Sequence, residues 1–292
     1  MKKPFVNWTA LEELVRPPLP PKDAPRPKGA PGRGIGGWDN QAPFYNKIAA
    51  MEKEGTLNQI NCFEAGAEDT FLDVCCGPGR ISVPMAGRVR KVTSLDASPK
   101  MLEYCRRNAD AAGVTNLETV LMDWEDEEAC SRLPMHDIVL ASRSLGLHDV
   151  DRLCRLARKW VVIVIWSYGW PSIPEVTGKL FQGAQYEDRM PFGPHFPKRD
   201  RRLGNNLWYN KIYDQGYEPN LKVVADGFRK EYGSREEAYD DLRQLGRDLD
   251  PAKDDVFKAN VDKFLREDGD GKVTYEAKTR SLVMWWKPEK CE

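Results

Sequence analysis

The chain has 292 residues, 41% hydrophobic and 30% charged, with a formal net charge of −1. That is the composition of a globular protein large enough for one α/β domain with additions, and it supplies no long-range field favouring nucleic acid. Seven cysteines without zinc-site or disulfide-framework spacing predict no metal site and fit a reducing cytoplasm; no apolar run reaches the roughly 18 residues of a membrane span, and the start lacks the apolar core of a secretory signal.

In chain order, residues 8–15 predict a short amphipathic helix carrying Leu11 and Leu14. Residues 16–37 (RPPLPPKDAPRPKGAPGRGIGG) are dense in proline and glycine. Such a stretch has few amide donors and favours coil, so residues 1–37 read as an extension, either linker or strap, ahead of a domain spanning 38–292. Helical spacing resumes at Asp39, with Phe44, Ile48 and Met51 on adjoining turns, and 56–65 predicts a second helix. The run 70–75 (TFLDVC) is a buried strand ending at a glycine turn. Helix 80–86, strand 91–95, a helix capped by Ser98 and Pro99, and strands 117–122 and 137–141 follow. An amphipathic stretch at 149–159 leads into 161–166 (VVIVIW), apolar throughout as a doubly covered parallel strand requires.

This alternation predicts an α/β fold: a doubly wound, mostly parallel seven-stranded sheet with a C-terminal antiparallel pair at 222–232 and 272–286. Helices are expected at 234–245 and 251–265, and residues 168–221 and 233–271 read as insertions that shape an acceptor pocket.

The segment DVCCGPG, residues 73–79, stands where the first strand meets a helix. Glycines there let a ligand approach the backbone. Asp73 ahead of them repels a pyrophosphate and attracts an ammonium, and Ser82 replaces the third glycine of the dinucleotide fingerprint. Asp96 ends the second strand at the spacing at which an acid accepts ribose hydroxyls, Met101 follows where it can lie against an adenine, and Asp123 with Trp124 ends the third strand. Each acid alone is equally a cap or a surface charge. Three on one edge of an open sheet mark a ligand site.

DVCCGPG, SLDASPKML, MDWED and DIVLASRSL together resemble the class I S-adenosylmethionine-dependent methyltransferases over about residues 38–167. Asp73, Gly77 and Gly79 match that family's first motif, while Cys75 replaces its first glycine. The resemblance implies S-adenosylmethionine as methyl donor and S-adenosylhomocysteine as product. It places Asp73 at the methionine amino group, Asp96 with Ala97 and Met101 at the adenosine, Asp123 and Trp124 at the adenine, and Cys75 and Ser142 along the pocket.

On the acceptor side, the loops after strands four and five offer Ser142, Arg143, Ser144, His148, Ser167, Tyr168 and Trp170. Arg143, His148 and Tyr168 are candidates for catalysis. Trp38, Tyr45, Arg143, Trp170 and His195 are candidates for holding the acceptor. Arg143 either orients an anionic acceptor or pairs with a nearby acid; His148 is a base or a structural residue; Trp38, Tyr45 and Trp170 are contacts or packing. The basic residues Lys198, Arg199, Arg201 and Arg202 form a solvated loop or an anion contact. ASRSLG after strand four differs from the Asn/Asp-Pro-Pro-aromatic stretch of DNA-base and glutamine amino-methyltransferases, and no Pro-Cys nucleophile is present. A small-molecule acceptor is therefore expected over nucleic acid. The alternatives are a nicotinamide- or nucleotide-binding oxidoreductase on the same sheet, or a non-catalytic module that binds S-adenosylmethionine.

Overall fold

The computed structural model describes residues 6–8, 10–11, 34–186, 204–246, 249–267 and 269–290. Helices α1 (Gly34–Met51) and α2 (Lys53–Ile60) precede strand β1 (Thr70–Val74). Then come α3 (Ser82–Ala86), β2 (Lys91–Asp96), α4 (Pro99–Ala111), β3 (Leu117–Leu121), α5 (Glu127–Ser131) and β4 (His136–Ser142). A 3-10 turn at Leu145–His148 leads to α6 (Val150–Leu156) and β5 (Ala157–Trp166). The C-terminal part adds α7 (Ile173–Phe181), α8 (Gly204–Asp214), β6 (Asn220–Tyr232), α9 (Arg235–Arg243), α10 (Asp254–Asp262), β7 (Leu265–Glu267) and β8 (Val273–Trp286).

The strands form one sheet in the order β3-β2-β1-β4-β5-β8-β6, with β7 paired to the start of β8. β1 to β5 are parallel, and β8 runs antiparallel to both β5 and β6. The doubly wound sheet and its terminal antiparallel pair are therefore present, with an eighth, three-residue strand added. Burial explains β5: Val161, Ile163 and Ile165 join the apolar cluster on one face, while Val162 and Val164 join the cluster on the other. A third cluster, holding Phe181, Phe228, Phe257 and Tyr275, is the core of the C-terminal part.

Four expectations need correction. Helix α1 begins at Gly34, inside the proline- and glycine-rich stretch, and carries Pro43 in its interior; tertiary anchoring of its polar residues, described below, overrides the weak local propensity. The predicted helix at 149–159 stops at Leu156, because β4 recruits Ala157 into β5. The helix expected at 251–265 is a 3-10 turn, then α10, then β7. Helices α7 and α8 arise where no regular pattern was read; α7 is announced by a capping box between Ser172 and Glu175.

Candidate functional site

The loop leaving β1 has three residues in the left-handed region: Cys75 (φ 56°), Gly77 (φ 57°) and Gly79 (φ 83°). A Cβ on Gly79 would stand 2.7 Å from Cys105 Sγ, so glycine there lets α4 pack directly on the loop. Cys76 N donates to Leu95 O at 2.9 Å and ties the loop to β2.

Asp96, the last residue of β2, accepts from Gly77 N through Oδ2 and from Ser98 N through Oδ1, each at 2.9 Å. Burial raises its pKa against the opposing pull of these amides. A carboxylate offers about four lone-pair positions, so acceptor capacity remains beyond these two bonds. Met122 N donates to Asp96 O at 3.0 Å, which brings the end of β3 to the same edge. There Asp123 is exposed, its carboxylate accepting from Glu125 N at 3.0 Å. Trp124 beside it is buried under the Arg152 guanidinium, 4.9 Å from the ring centroid. Among the described residues nothing partners its buried indole Nε1. A cleft of about 320 Å³, bounded by Trp124, Glu125, Leu145, His148, Asp149 and Arg152, opens next to it.

Asp73 and Met101 lie deeper. Asp73 is 2% exposed and accepts from Ser82 Oγ at 2.6 Å. Burial pushes its pKa up to about 6, with Ser82 and Arg80 pulling the other way. Met101, 3% exposed, lies beneath Gly77, with its amide capped by Ser98 Oγ. Burial also pushes the half-buried Cys75 thiol up to about 12.

Helix α1 crosses this edge and is fastened at both ends. Near its start Asp39 accepts from Ser98 Oγ and Lys100 N; further along, Asn46 accepts from Asn108 Nδ2, which also donates to Pro78 O. Beside these two anchors Trp38 and Tyr45 stay partly exposed, with rings edge to face at 5.7 Å. Just past its end, Glu52, 2% exposed, accepts from Arg143 Nη1 at 2.8 Å and lies 3.6 Å from Arg80 Nε.

Arg143 also donates to Asp226 and to Ser281 Oγ, and its guanidinium lies 5.5 Å from the Trp166 ring centroid. Of the two readings open to Arg143, the structure contains the ion pair: both terminal nitrogens are engaged with buried partners. Arg80 donates to Thr56, Gln59 and the Ser142 hydroxyl, so Ser142 is held from the glycine loop. Burial works to raise the Asp226 pKa, but Arg143, Ser281 and Arg80 hold it below the usual carboxylate value.

Glu52, Arg80, Asp226 and Ser281 were not legible as site neighbours. Arg80, directly after Gly79, carried the one local hint. Asp226 lies 83 residues from Arg143 and had none.

Among the other acceptor-side candidates, His148 is exposed on the 3-10 turn with its ring 5.9 Å from Trp208. Tyr168 is half-buried, its amide donating to Asn205 Oδ1 at 3.3 Å. Trp170 is 40% exposed beneath the Arg280 guanidinium. His195, the basic residues 198–202 and most of the 1–37 extension lie outside the described residues; within that extension, Trp8 Nε1 donates to Asp214 at the end of α8.

The chain is 27% identical over 265 residues to an uncharacterized protein of Haemophilus influenzae, covering 85% of this chain and 88% of that protein. It is 32% identical over 106 residues to a cobalt-precorrin-6B C(15)-methyltransferase (decarboxylating), so named with the qualifier probable, of Methanothermobacter thermautotrophicus; this covers 34% of the chain and 55% of that enzyme. It is 31% identical over 80 residues to a 23S rRNA (uracil(1939)-C(5))-methyltransferase of Marinomonas, covering 27% of the chain and 18% of that enzyme. The chain thus spans most of the first relative and only a part of the two named enzymes. Residues 71–162, from β1 into β5, match the family model described as a methyltransferase domain. Residues 71–162 are thus similar to a methyltransferase domain, and the glycine loop and the acid-bearing strand ends fall within the matched segment.

Proposed function

We propose that the carboxyl edge of β1 to β4 binds S-adenosylmethionine, and that the protein transfers its methyl group to a small-molecule acceptor. The observation that carries this is Asp96, oriented by Gly77 N and Ser98 N with acceptor capacity to spare, beside a loop held in left-handed geometry. The buried, unpartnered Trp124 Nε1 and the cleft beside it suit the adenine end.

In this reading Asp96, with Ala97 alongside, holds the ribose, and Asp123 and Trp124 hold the adenine. Gly77 and Gly79 give the backbone close approach, Met101 supports the loop from below, and Ser142 borders the methyl. Asp73 acts from beneath the loop through Ser82, on the methionine side. S-adenosylmethionine supplies an electrophilic methyl on a sulfonium, and the protein's part is to align a nucleophile with it and exclude water. The Cys75 thiol, with its pKa near 12, is protonated at neutral pH and does not compete as a nucleophile. His148 and Tyr168 are the candidates to take a proton where the acceptor must lose one.

A small-molecule acceptor fits the near-zero net charge and the engagement of Arg80, Arg143 and Arg152 with the protein's own acids. The free thiols of the six described cysteines suit a reducing cytoplasm. Calorimetry with S-adenosylmethionine and S-adenosylhomocysteine tests the cofactor; no heat from either at millimolar concentration would refute it. Incubation with methyl-labelled donor and fractionated cell extract tests the acceptor. Label is expected in the small-molecule fraction, and label confined to RNA would overturn that part.

A further inference from the structure

We propose that Trp170 and Arg280 form the acceptor-recognition patch and that the acceptor is a planar carboxylate. This rests on the methyltransferase reading above and adds the chemical class of its second substrate.

The patch lies just beyond the carboxyl end of β5. Trp166 pairs with Ser281 of β8, and the next residue, Ser167, donates its amide to Arg280 O at 2.9 Å. Trp170 N then donates to Ser167 O at 3.1 Å. This turn brings Trp170 under Arg280, whose guanidinium carbon lies 4.8 Å from the indole centroid. Because side chains alternate along a strand, Arg280 stands on the face of β8 opposite Ser281, away from the Glu52–Arg143–Asp226 cluster. Both members face solvent: Arg280 is exposed and Trp170 is 40% exposed.

What sets Arg280 apart is what it lacks. Arg80 and Arg143 share Glu52, and Arg152 pairs with Asp149. Among the described residues no acid pairs with Arg280; its side chain is held by the indole alone. The indole lies against the guanidinium, and among the described residues no acid takes up its N–H donors. A carboxylate meets such a fork edge-on, with two parallel hydrogen bonds. A group conjugated to that carboxylate shares its plane and lies flat beside the indole.

Position joins the patch to the reaction. β1, β4, β5 and β8 are successive neighbours in the sheet, so the turn after β5 is two strand spacings, about 10 Å, and Arg280 on β8 three, about 14 Å, from the loop after β1. An acceptor anchored by its acid at Arg280 therefore reaches the methyl with its opposite end.

The test uses the full chain with 2-naphthoate and its uncharged counterpart 2-naphthamide, titrated by fluorescence with and without S-adenosylhomocysteine. Naphthoate should bind at least fivefold more tightly than naphthamide. R280Q should abolish that advantage while leaving naphthamide binding unchanged, which also reports that the variant is folded. R280K should restore only part of it, and W170A should weaken both probes about fivefold. Equal binding of the two probes to the unmodified chain, or an advantage retained in R280Q, would overturn the proposal. Failure of S-adenosylhomocysteine to bind would refute the methyltransferase reading instead, and the ratio of the two probes without it would still decide the patch.

Discussion

The edge over β1 to β3 and the cluster between β4, β6 and β8 are both rich in charge, yet they are built oppositely. Over β1 to β3 the polar groups come from short local segments. Asp96 is oriented by amides 2 and 19 residues away in sequence and keeps acceptor capacity, while Asp123 stands in solvent. In the second region two arginines and two acids are brought together from α2's approach, the glycine loop, β4 and β6, and are nearly sealed. One region leaves its charges open to a ligand; the other spends them on one another. Residue type alone does not separate the two, since both present buried or half-buried acids.

The largest effect is expected in the sealed region. Glu52→Gln leaves Arg80 and Arg143 with Asp226 as the one acid of the cluster, and breaking a buried pair from one side typically costs about 3–5 kcal/mol. Denaturant unfolding should register that loss, and because Glu52 follows α1 directly, amide exchange in α1 should quicken as well. A loss below about 1 kcal/mol would mean that the cluster is hydrated and its charges are screened.

Asp73 gives the next effect, and its sign is opposite to that of a salt-bridged acid. Its folded pKa of about 6 lies above the ordinary 3.8, so the folded state holds a proton that the unfolded chain has already released. That stabilisation is complete below about pH 4, is lost as pH rises to about 6, and stays lost above it. At about 1.4 kcal/mol per pKa unit the difference approaches 3 kcal/mol. Asp73→Asn imitates the protonated form and still accepts from Ser82. Its Tm should match the parent's near pH 4 and exceed it above pH 6.5. A gap independent of pH would show that Asp73 is ionised in the folded protein throughout.

In the open region, Asp96→Ala should weaken S-adenosylhomocysteine binding by about 1.5–3 kcal/mol, the range for hydrogen bonds to a charged group. Its stability should fall less, because Gly77 N lies at a half-buried edge and can turn to water. Calorimetry beside thermal unfolding separates the two. Unchanged affinity in a folded variant would remove Asp96 from the site.

These contrasts follow what the chain disclosed. The five parallel strands, the Ser98 cap, the glycine loop and the three acids were legible because each depends on neighbours within one βα unit. Burial supports the same reading: β5 is apolar from Trp160 to Trp166, where both faces of the sheet are covered. The partners of Arg143 were not legible. Glu52 and Asp226 are 91 and 83 residues from it, and nothing local distinguishes an arginine that will meet acids from one that will meet a ligand. The first turn of helix α1 was hidden for a related reason. Gly34, Gly36 and Gly37 read as coil, and the anchors at Asp39 and Asn46 exist only once α4 is in place.

The smallest effect is expected at Cys75, where the open region departs from the glycine motif it otherwise resembles. A side chain in the left-handed region costs about 1–2 kcal/mol, and Cys75 has φ 56°. Cys75→Gly removes that strain but adds backbone freedom to the unfolded chain, worth roughly 0.5–1 kcal/mol. It also gives up the packing of the thiol against the apolar cluster that holds Leu72 and Val139. The two sides nearly cancel, so Tm should move by no more than a few degrees. The thiol is turned toward Ser144 and Gly146 of the β4 loop, so S-adenosylhomocysteine affinity should change by less than about threefold, on the footing that the ligand meets the loop's backbone rather than this side chain. Cys75→Val keeps the unfavourable φ, adds branching at Cβ, and should lose about 1 kcal/mol or more in stability. A gain in affinity of tenfold or more in Cys75→Gly would show instead that the thiol obstructs the methionine end, and that the open region is held partly closed by its own loop.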